Sequence, residues 1–381
     1  MGDLTQKSLW LKHFEQLPDP RLDRKKRHML MDILVLTLCA VICGATSWES
    51  IEDYGKKQEK WLKTFLLLPN GIPSHDTIAR VFGLLNADIF AKCFVSWMKE
   101  VVGKLNEVVA IDGKRLRAAS NGKDPIHLVN AFATASGLSL GQYKVDKKTN
   151  EIVAIPEILK LLSLEGCVVT IDAMGCQKEI AKQIVEAKAD YVLALKGNHG
   201  DLHTKLQLYM HALFEGGCKE IAREEKETFD KGHGRFERRK YLITDDIAWL
   251  TEKVQWPGLR SIGMVVSERS VKGIVTTERR YYLSSLSAQI EIFSTAVRQH
   301  WCVENKLHWV LDVTFNEDRL RMNTKNSAQN LAIIRQSALN LLRMDQTTKK
   351  MSLKRKQFCA ALDHNYLQSL IMQYGKADFN A

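Results

Sequence analysis

Two short runs, Val108-Val109-Ala110-Ile111-Asp112 and Val168-Val169-Thr170-Ile171-Asp172, follow one plan: β-branched and small apolar residues that stop at an aspartate. Such runs suit strands covered on both faces, as in the centre of a parallel or mixed sheet. An acid at the end of each run falls on the rim of the packed sheet, and neighbouring strands would hold the two carboxylates close together. Two anions so placed repel. Either one takes up a proton or a hard divalent cation lies between them, and oxygen-only ligands suit Mg2+ or Mn2+. The bland alternative is that both aspartates are turn formers, since Asp112-Gly113 and Asp172-Ala173-Met174-Gly175 read as turns.

A third acid lies further on. From Glu291 to Leu311 the chain reads as one amphipathic helix, with Phe293, Val297, Trp301, Leu307 and Leu311 on a stripe. Glu304 shares that stripe, so its carboxylate is expected to face the core. A buried, unpaired carboxylate costs roughly several kcal/mol and calls for a cation, a hydrogen-bond cluster or a raised pKa. An ion pair with Arg298 would satisfy it equally well. Asp312, Glu317 and Asp318 follow on the same segment as competing third ligands; the helical position favours Glu304.

Lys plus Arg total 55 against 44 Asp plus Glu, a formal charge of +11. That excess favours a polyanionic partner, because each neutralised phosphate releases counterions. The longest apolar stretch, Ile33 to Ala45, is too short to span a bilayer and has no cleavage site behind a basic leader, so it reads as a core helix and no membrane is expected. Eight cysteines without a Cys-x-x-Cys pair argue against a zinc site or a disulfide framework and point to a reducing cytoplasm.

The pattern changes near residue 105. Residues 1–105 read as helices over Leu9–Gln16, Met29–Cys43, Trp48–Leu68, Ser74–Leu85 and Asp88–Lys104, a unit expected to bind DNA. Its Ser74-His75-Asp76-Thr77 cap follows a turn, as in helix pairs that dock in a DNA groove, and a helical bundle of purely structural value is the equal alternative. Residues 106–381 form the second unit. After the first acid-tipped strand come a hairpin (His127–Ala135 and Leu138–Val145), a helix (Ile152–Leu162), the second acid-tipped strand, a helix (Gln177–Ala187) and a fifth strand (Tyr191–Leu195). This order is that of a ribonuclease H-like mixed sheet flanked by helices, an α/β fold. A β-rich insertion at about 221–287, with strands over Arg235–Ile243, Ser261–Val266 and Arg279–Leu283, separates the fifth strand from the helix carrying Glu304.

Combined, Asp112-Gly113-Lys114 with Arg117, Asp172-Ala173-Met174-Gly175-Cys176-Gln177, Lys196-Gly197-Asn198, His233-Gly234-Arg235 and the run from His300 to Trp309 resemble the H-repeat-associated DDE transposases of bacteria. The helical leader, with Gly71-Ile72-Pro73-Ser74-His75-Asp76-Thr77, resembles the N-terminal domain of those proteins. The resemblance implies a triad of Asp112, Asp172 and Glu304 holding two Mg2+ or Mn2+ ions. It implies double-stranded DNA as partner, both transposon terminal repeats and target, a dimer when bound to DNA, and a bacterial, cytoplasmic, nucleoid-associated location. One departure is plain. A related signature, Tyr-x2-Arg-x3-Glu-x6-Lys, would place its companions at Val297, His300 and Leu311, so Arg298 and Lys306 are the charges left to face DNA from this helix.

Two ions about 3.5 to 4 Å apart can activate water on one side of a phosphodiester and stabilise the leaving 3′ oxygen on the other. Asp112 is expected to bridge both ions while Asp172 and Glu304 hold one each. Lys114 and Arg117 leave the first strand, and Lys196 and Asn198 the fifth, at the rim where a scissile phosphate would lie, with solvated loop charge as the alternative; His233 and Arg235 on the insertion are further candidates for DNA contact, with ordinary edge-strand charge as the alternative. Two other functions share these residues: a nuclease without strand transfer, and a DNA-binding remnant without catalysis.

Overall fold

The computed structural model describes residues 8–116, 126–145, 151–217, 220–232, 234–319, 326–348 and 350–372. Five helices come first: α1 (Leu9–Phe14), α2 (Leu30–Ile42), α3 (Trp48–Leu62), α4 (His75–Leu84) and α5 (Ala87–Val102). Ser8, Ser47, Ser74 and Asn86 cap four of them by accepting backbone N–H bonds that the first helical turn leaves unpaired. The third helix stops six residues short of the Leu68 expected from periodicity. Buried Asp32 accepts the N–H groups of Leu67 and Leu68 at 3.3 and 2.8 Å, and Leu68 turns to a φ of 39°, so a tertiary contact rather than a local breaker ends the helical run. Helix α2 is buried almost throughout, as the stretch from Ile33 predicts, and among the described residues no helix is long and apolar enough to cross a membrane.

The remainder is built on nine strands in one sheet. They are β1 (Val108–Leu116), β2 (Ile126–Ala133), β3 (Leu138–Val145), β4 (Val168–Ile171), β5 (Asp190–Leu195), β6 (Glu224–Gly232), β7 (Arg235–Thr244), β8 (Ser261–Val271) and β9 (Ile274–Ser284). The order across the sheet is β3-β2-β1-β4-β5-β9-β8-β7-β6. β1, β2 and β3 form an antiparallel meander, whereas β4 and β5 run parallel to β1, the ribonuclease H-like arrangement. Helix α6 (Glu151–Leu161) follows β3, α7 (Lys178–Glu186) joins β4 to β5, and α8 (Gly200–Phe214) leads into the β-rich segment. That segment does not make a sheet of its own: β9 pairs antiparallel with β5, extending the central sheet outward. Strand β6 is absent from the sequence-based expectation because Glu-Glu-Lys-Glu-Thr-Phe-Asp-Lys-Gly carries no apolar face.

Alternate residues of β1 serve two cores. Val109 and Ile111 pack beneath α6, α7 and α8, while Ala110 and Leu116 face the other way, into a cluster shared with α1 to α5. That second cluster also takes in α11 (Ser327–Met344), so the pattern change near residue 105 does not separate two cores. Helix α11 is buried nearly all round. Part of its polar surface is satisfied internally: Asn330 donates to the carbonyls of Phe82 and Leu85, and Asn340 to that of Ser139, whereas Asn330 Oδ1, Arg335 Nη2 and Ser337 Oγ are buried with no hydrogen-bond partner among the described residues. Helices α12 (Leu353–Leu362) and α13 (His364–Ile371) close the described chain.

Candidate active site

Asp112 does not end its strand, contrary to expectation. β1 runs on to Leu116 against β2, whereas β4 stops at Ile171, so Asp112 sits where β1 loses its parallel neighbour. Asp112 and Asp172 are the next residues along from the register pair Ile111 and Ile171, which sets them side by side on the face carrying Ala110 and Thr170. Asp172 is also a turn former: its Oδ1 accepts the N–H groups of Met174 and Gly175 at 3.1 and 3.3 Å. Over this face lies α9 (Ile290–His300), whose half-buried His300 meets Thr170 with 3.0 Å between Nδ1 and Oγ1.

The predicted continuous helix from Glu291 to Leu311 is interrupted. α9 ends at His300, a π-helical segment runs over Val303–His308, and α10 (Trp309–Thr314) follows. The wider turn shifts the helical phase so that Val303, Leu307 and Leu311 form the buried stripe. Glu304 is therefore exposed, not turned to the core as its spacing from Trp301 and Leu307 predicts. It lies at the meeting of two cavities.

The smaller cavity, about 180 Å³, is lined by Asp112, Asp172 and Glu304 together with Lys196 and His300. The larger, about 400 Å³, runs from Glu304 along one face of β7, β8 and β9 past Arg280, Arg239, Arg269 and Arg235. Burial, then the negative charges of Asp172 and Glu304, push the Asp112 carboxyl up to about 7. Among the described residues no cation is a main influence on it. His308 Nδ1 is 3.7 Å from Asp112 Oδ2, but burial and then the nearby Lys114 ammonium push that imidazole down to about 3, which keeps it neutral. A fourth acid missed by the sequence reading, Glu151 at the start of α6, lies over Gly113, and burial followed by Asp172 raises its carboxyl too.

Among the described residues no three His, Cys, Asp or Glu side chains close around a single point. The donor set nevertheless fits a hard divalent ion: oxygen ligands only, mutually repelling, with the Asp112 carboxyl pushed up by burial and then by the like charges of Asp172 and Glu304.

The expected DNA contacts separate into groups. Lys114 is a correction, since it is only 7% exposed and its ammonium is held by Asp312 at 2.6 Å and Glu317 at 2.5 Å. Burial alone would push it down, but those carboxylates more than offset that and hold it above its ordinary value. The same pairs use up Asp312 and Glu317, which the sequence left as rivals of Glu304. Lys196 is exposed at the mouth of the smaller cavity, whereas Asn198 Nδ2 donates to the Ala173 carbonyl at 3.0 Å, tying the loop after β5 to the loop after β4. Arg235 and Arg298 line the larger cavity, Arg298 lying 3.4 Å from Asp230, and Lys306 is exposed on the π segment. Arg117 and His233 lie outside the described residues. Arg280, which the sequence gave no reason to single out within Glu-Arg-Arg-Tyr-Tyr, lines both cavities, with its guanidinium 4.9 Å from the ring centre of Trp301.

The fold is a ribonuclease H-like mixed sheet with acids gathered at the break between its central parallel strands. Comparison with known proteins supplies the family. A family model described as "Transposase DDE domain" matches residues 103–341, and one described as "DDE_Tnp_1-associated" matches residues 11–98. The chain is 41% identical to "H repeat-associated putative transposase YhhI" of Escherichia coli K12, across 96% of this chain and 98% of that one. It is 40% identical to "Putative transposase YncI" of Escherichia coli O157:H7, across 97% and 96% of the two chains. A piggyBac transposase synaptic complex with hairpin DNA aligns over 97% of this chain and 78% of its own, with a TM-score of 0.46 and 12% identity. The chain belongs to the DDE transposase family.

Proposed function

We propose that this protein is an active transposase that cuts DNA at the ends of a mobile element and joins the freed 3′ hydroxyl to target DNA. The observation that carries the reading is the Asp112 carboxyl, pushed up to about 7 in a cavity it shares with Asp172 and Glu304. A group so perturbed by burial and by like charges marks a functional site. In this reading Asp112, Asp172 and Glu304 hold Mg2+ or Mn2+. Bound there, the ions would activate the attacking oxygen and stabilise the leaving one.

The chain's own residues then divide the remaining work. Lys196 at the cavity mouth and Arg280 between the cavities face the phosphate whose bond is cut. Arg235 and Arg298 track the adjoining DNA along the larger cavity, and Lys306 meets it beyond Glu304. Two element ends must be brought together, so a dimer on DNA is the working assembly.

The test is end mapping. Purified protein is incubated with labelled DNA carrying its own flanking repeats and Mn2+, beside Asp112→Asn, Asp172→Asn and Glu304→Gln. Cleavage with joined products in the wild type, and a loss of about 1000-fold or more in each variant, is expected. Cleavage without joining identifies a nuclease. Binding in EDTA with no nicking in Mn2+ identifies a DNA-binding remnant.

A further inference from the structure

We propose that His308 is a positioning residue for Asp112, its ring set by a chain of buried hydrogen bonds whose direction is fixed at the backbone carbonyl of Gln329. This rests on the reading of Asp112 as a metal-holding acid. A carbonyl oxygen only accepts, so Gln142 presents Nε2 to Gln329 at 3.0 Å. Gln142 Oε1 is then the atom facing α11, where it takes a bond from Gln336 Nε2 at 2.7 Å. The same Nε2 donates to Asn130 Oδ1 at 2.9 Å, while Gln336 Oε1 accepts from Ser139 Oγ at 2.7 Å. With its oxygen so used, Asn130 turns Nδ2 to His308 Nε2 at 3.4 Å.

A donor at that point requires the lone pair on Nε2. The ring proton therefore sits on Nδ1, 3.7 Å from Asp112 Oδ2. Flipping any one amide sets two acceptors or two donors against each other, and flipping all of them sets Gln142 Oε1 against the Gln329 carbonyl. Asn130, Ser139, Gln142 and Gln336 are all buried, so water does not compete for these bonds.

A neutral N–H suits the place. It steadies a carboxylate without cancelling its charge, whereas a lysine or imidazolium there would compete with a divalent ion for the same oxygen atoms. Lys114 lies two residues along β1 on the same face and is kept from that role by Asp312 and Glu317.

The experiment has two readouts on the full chain. In metal-free protein with 15N-labelled histidine, long-range nitrogen–proton correlations report which ring nitrogen carries the proton. The wild type is expected to show Nδ1–H. Asn130→Asp, which replaces the donor by an acceptor, is expected to show Nε2–H. The second readout is Mn2+ affinity by electron paramagnetic resonance. His308→Asn places an amide nitrogen near the Nδ1 position and should stay within about threefold of wild type, whereas His308→Gln, which mimics Nε2, should weaken binding by about 10- to 100-fold. An Nε2–H tautomer in the wild type overturns the proposal, as does equal Mn2+ binding by the Asn and Gln variants. If the wild type binds no Mn2+, the metal-holding reading of Asp112 fails, and the tautomer alone decides the relay.

Discussion

Two residues apart on β1, and on the same face of it, Asp112 and Lys114 anchor opposite kinds of charge cluster. Lys114 is closed in by Asp312 and Glu317, with Arg335 buried close enough to feel both carboxylates. Asp112 faces Asp172 and Glu304 across a cavity, with the neutral His308 imidazole 3.7 Å away. Lys114 and Glu317 in the first cluster are buried and the Asp112 carboxyl in the second is partly so, so both clusters bear a desolvation cost even though Glu304 is exposed. In the first, opposite charges from the chain itself offset that cost. In the second no cation among the described residues is a main influence on the Asp112 carboxyl, although Lys196 and Arg280 line the same cavity, and the imbalance is what a cation from outside would correct. A compensated acid cluster is architecture; an uncompensated one is a site.

The difference can be broken most forcefully at Lys114. Lys114→Met should leave Asp312 and Glu317 short of a partner and cost about 3 to 5 kcal/mol in urea unfolding. Adding Glu317→Gln to that variant should recover part of the loss, and strictly additive effects would mean that the two side chains do not act as a pair.

Asp112→Asn should do the reverse. The folded protein holds the Asp112 proton up to about pH 7, against an ordinary value of 3.8, so ionising it works against folding. The penalty is complete above about pH 7, shrinks as pH falls and vanishes below the ordinary value. Removing the charge should therefore stabilise metal-free protein at pH 8 by up to about 4 kcal/mol and change little near pH 4. Equal unfolding midpoints for variant and wild type at pH 8 would show that this carboxylate carries no uncompensated charge.

A smaller shift should follow from adding metal. Mn2+ at about a hundred times its dissociation constant raises stability by roughly 2.7 kcal/mol if it binds only the folded chain. Thermal melts at pH 8 should show this gain in the wild type and lose it in Asp172→Asn, and the gain should diminish toward pH 6 as the proton returns to Asp112.

The smallest effects concern DNA. Removing Arg235, Arg298 or Lys196 by alanine should each lower the slope of log affinity against log salt by about one, measured in EDTA so that cleavage does not intervene. Since its charge is already committed inside the protein, the folded fraction of Lys114→Met should keep the wild-type slope. A drop there would mean that the buried pairs open on DNA.

How much of this the sequence disclosed follows from the range of each interaction. The acid-tipped runs at 108–112 and 168–172 were readable because β-branching and register are local, and strands that pair in parallel bring equivalent positions together. The order of elements through β5 was readable for the same reason. Strand β6 was not, because it carries no apolar face, and it holds its place through its pairing with β7. Glu304 was found by a periodicity that misjudged its surroundings: the spacing assumed a uniform helix, and a π segment turned the carboxylate outward to the cavity.

By itself, then, the sequence determined the strands, most helix starts and the acids at the break in the central sheet, since these depend on side-chain shape, capping and alternation over a few residues. Tertiary structure alone decided which charges are occupied and which are open. Lys114 reads as a rim lysine until Asp312 and Glu317, about 200 residues away, are packed against it, and His308 acquires a defined tautomer only when α11 closes on β2 and β3. The physical reason is desolvation: a buried charge or amide must find a partner, and distant segments of the chain, brought in by packing, supply it.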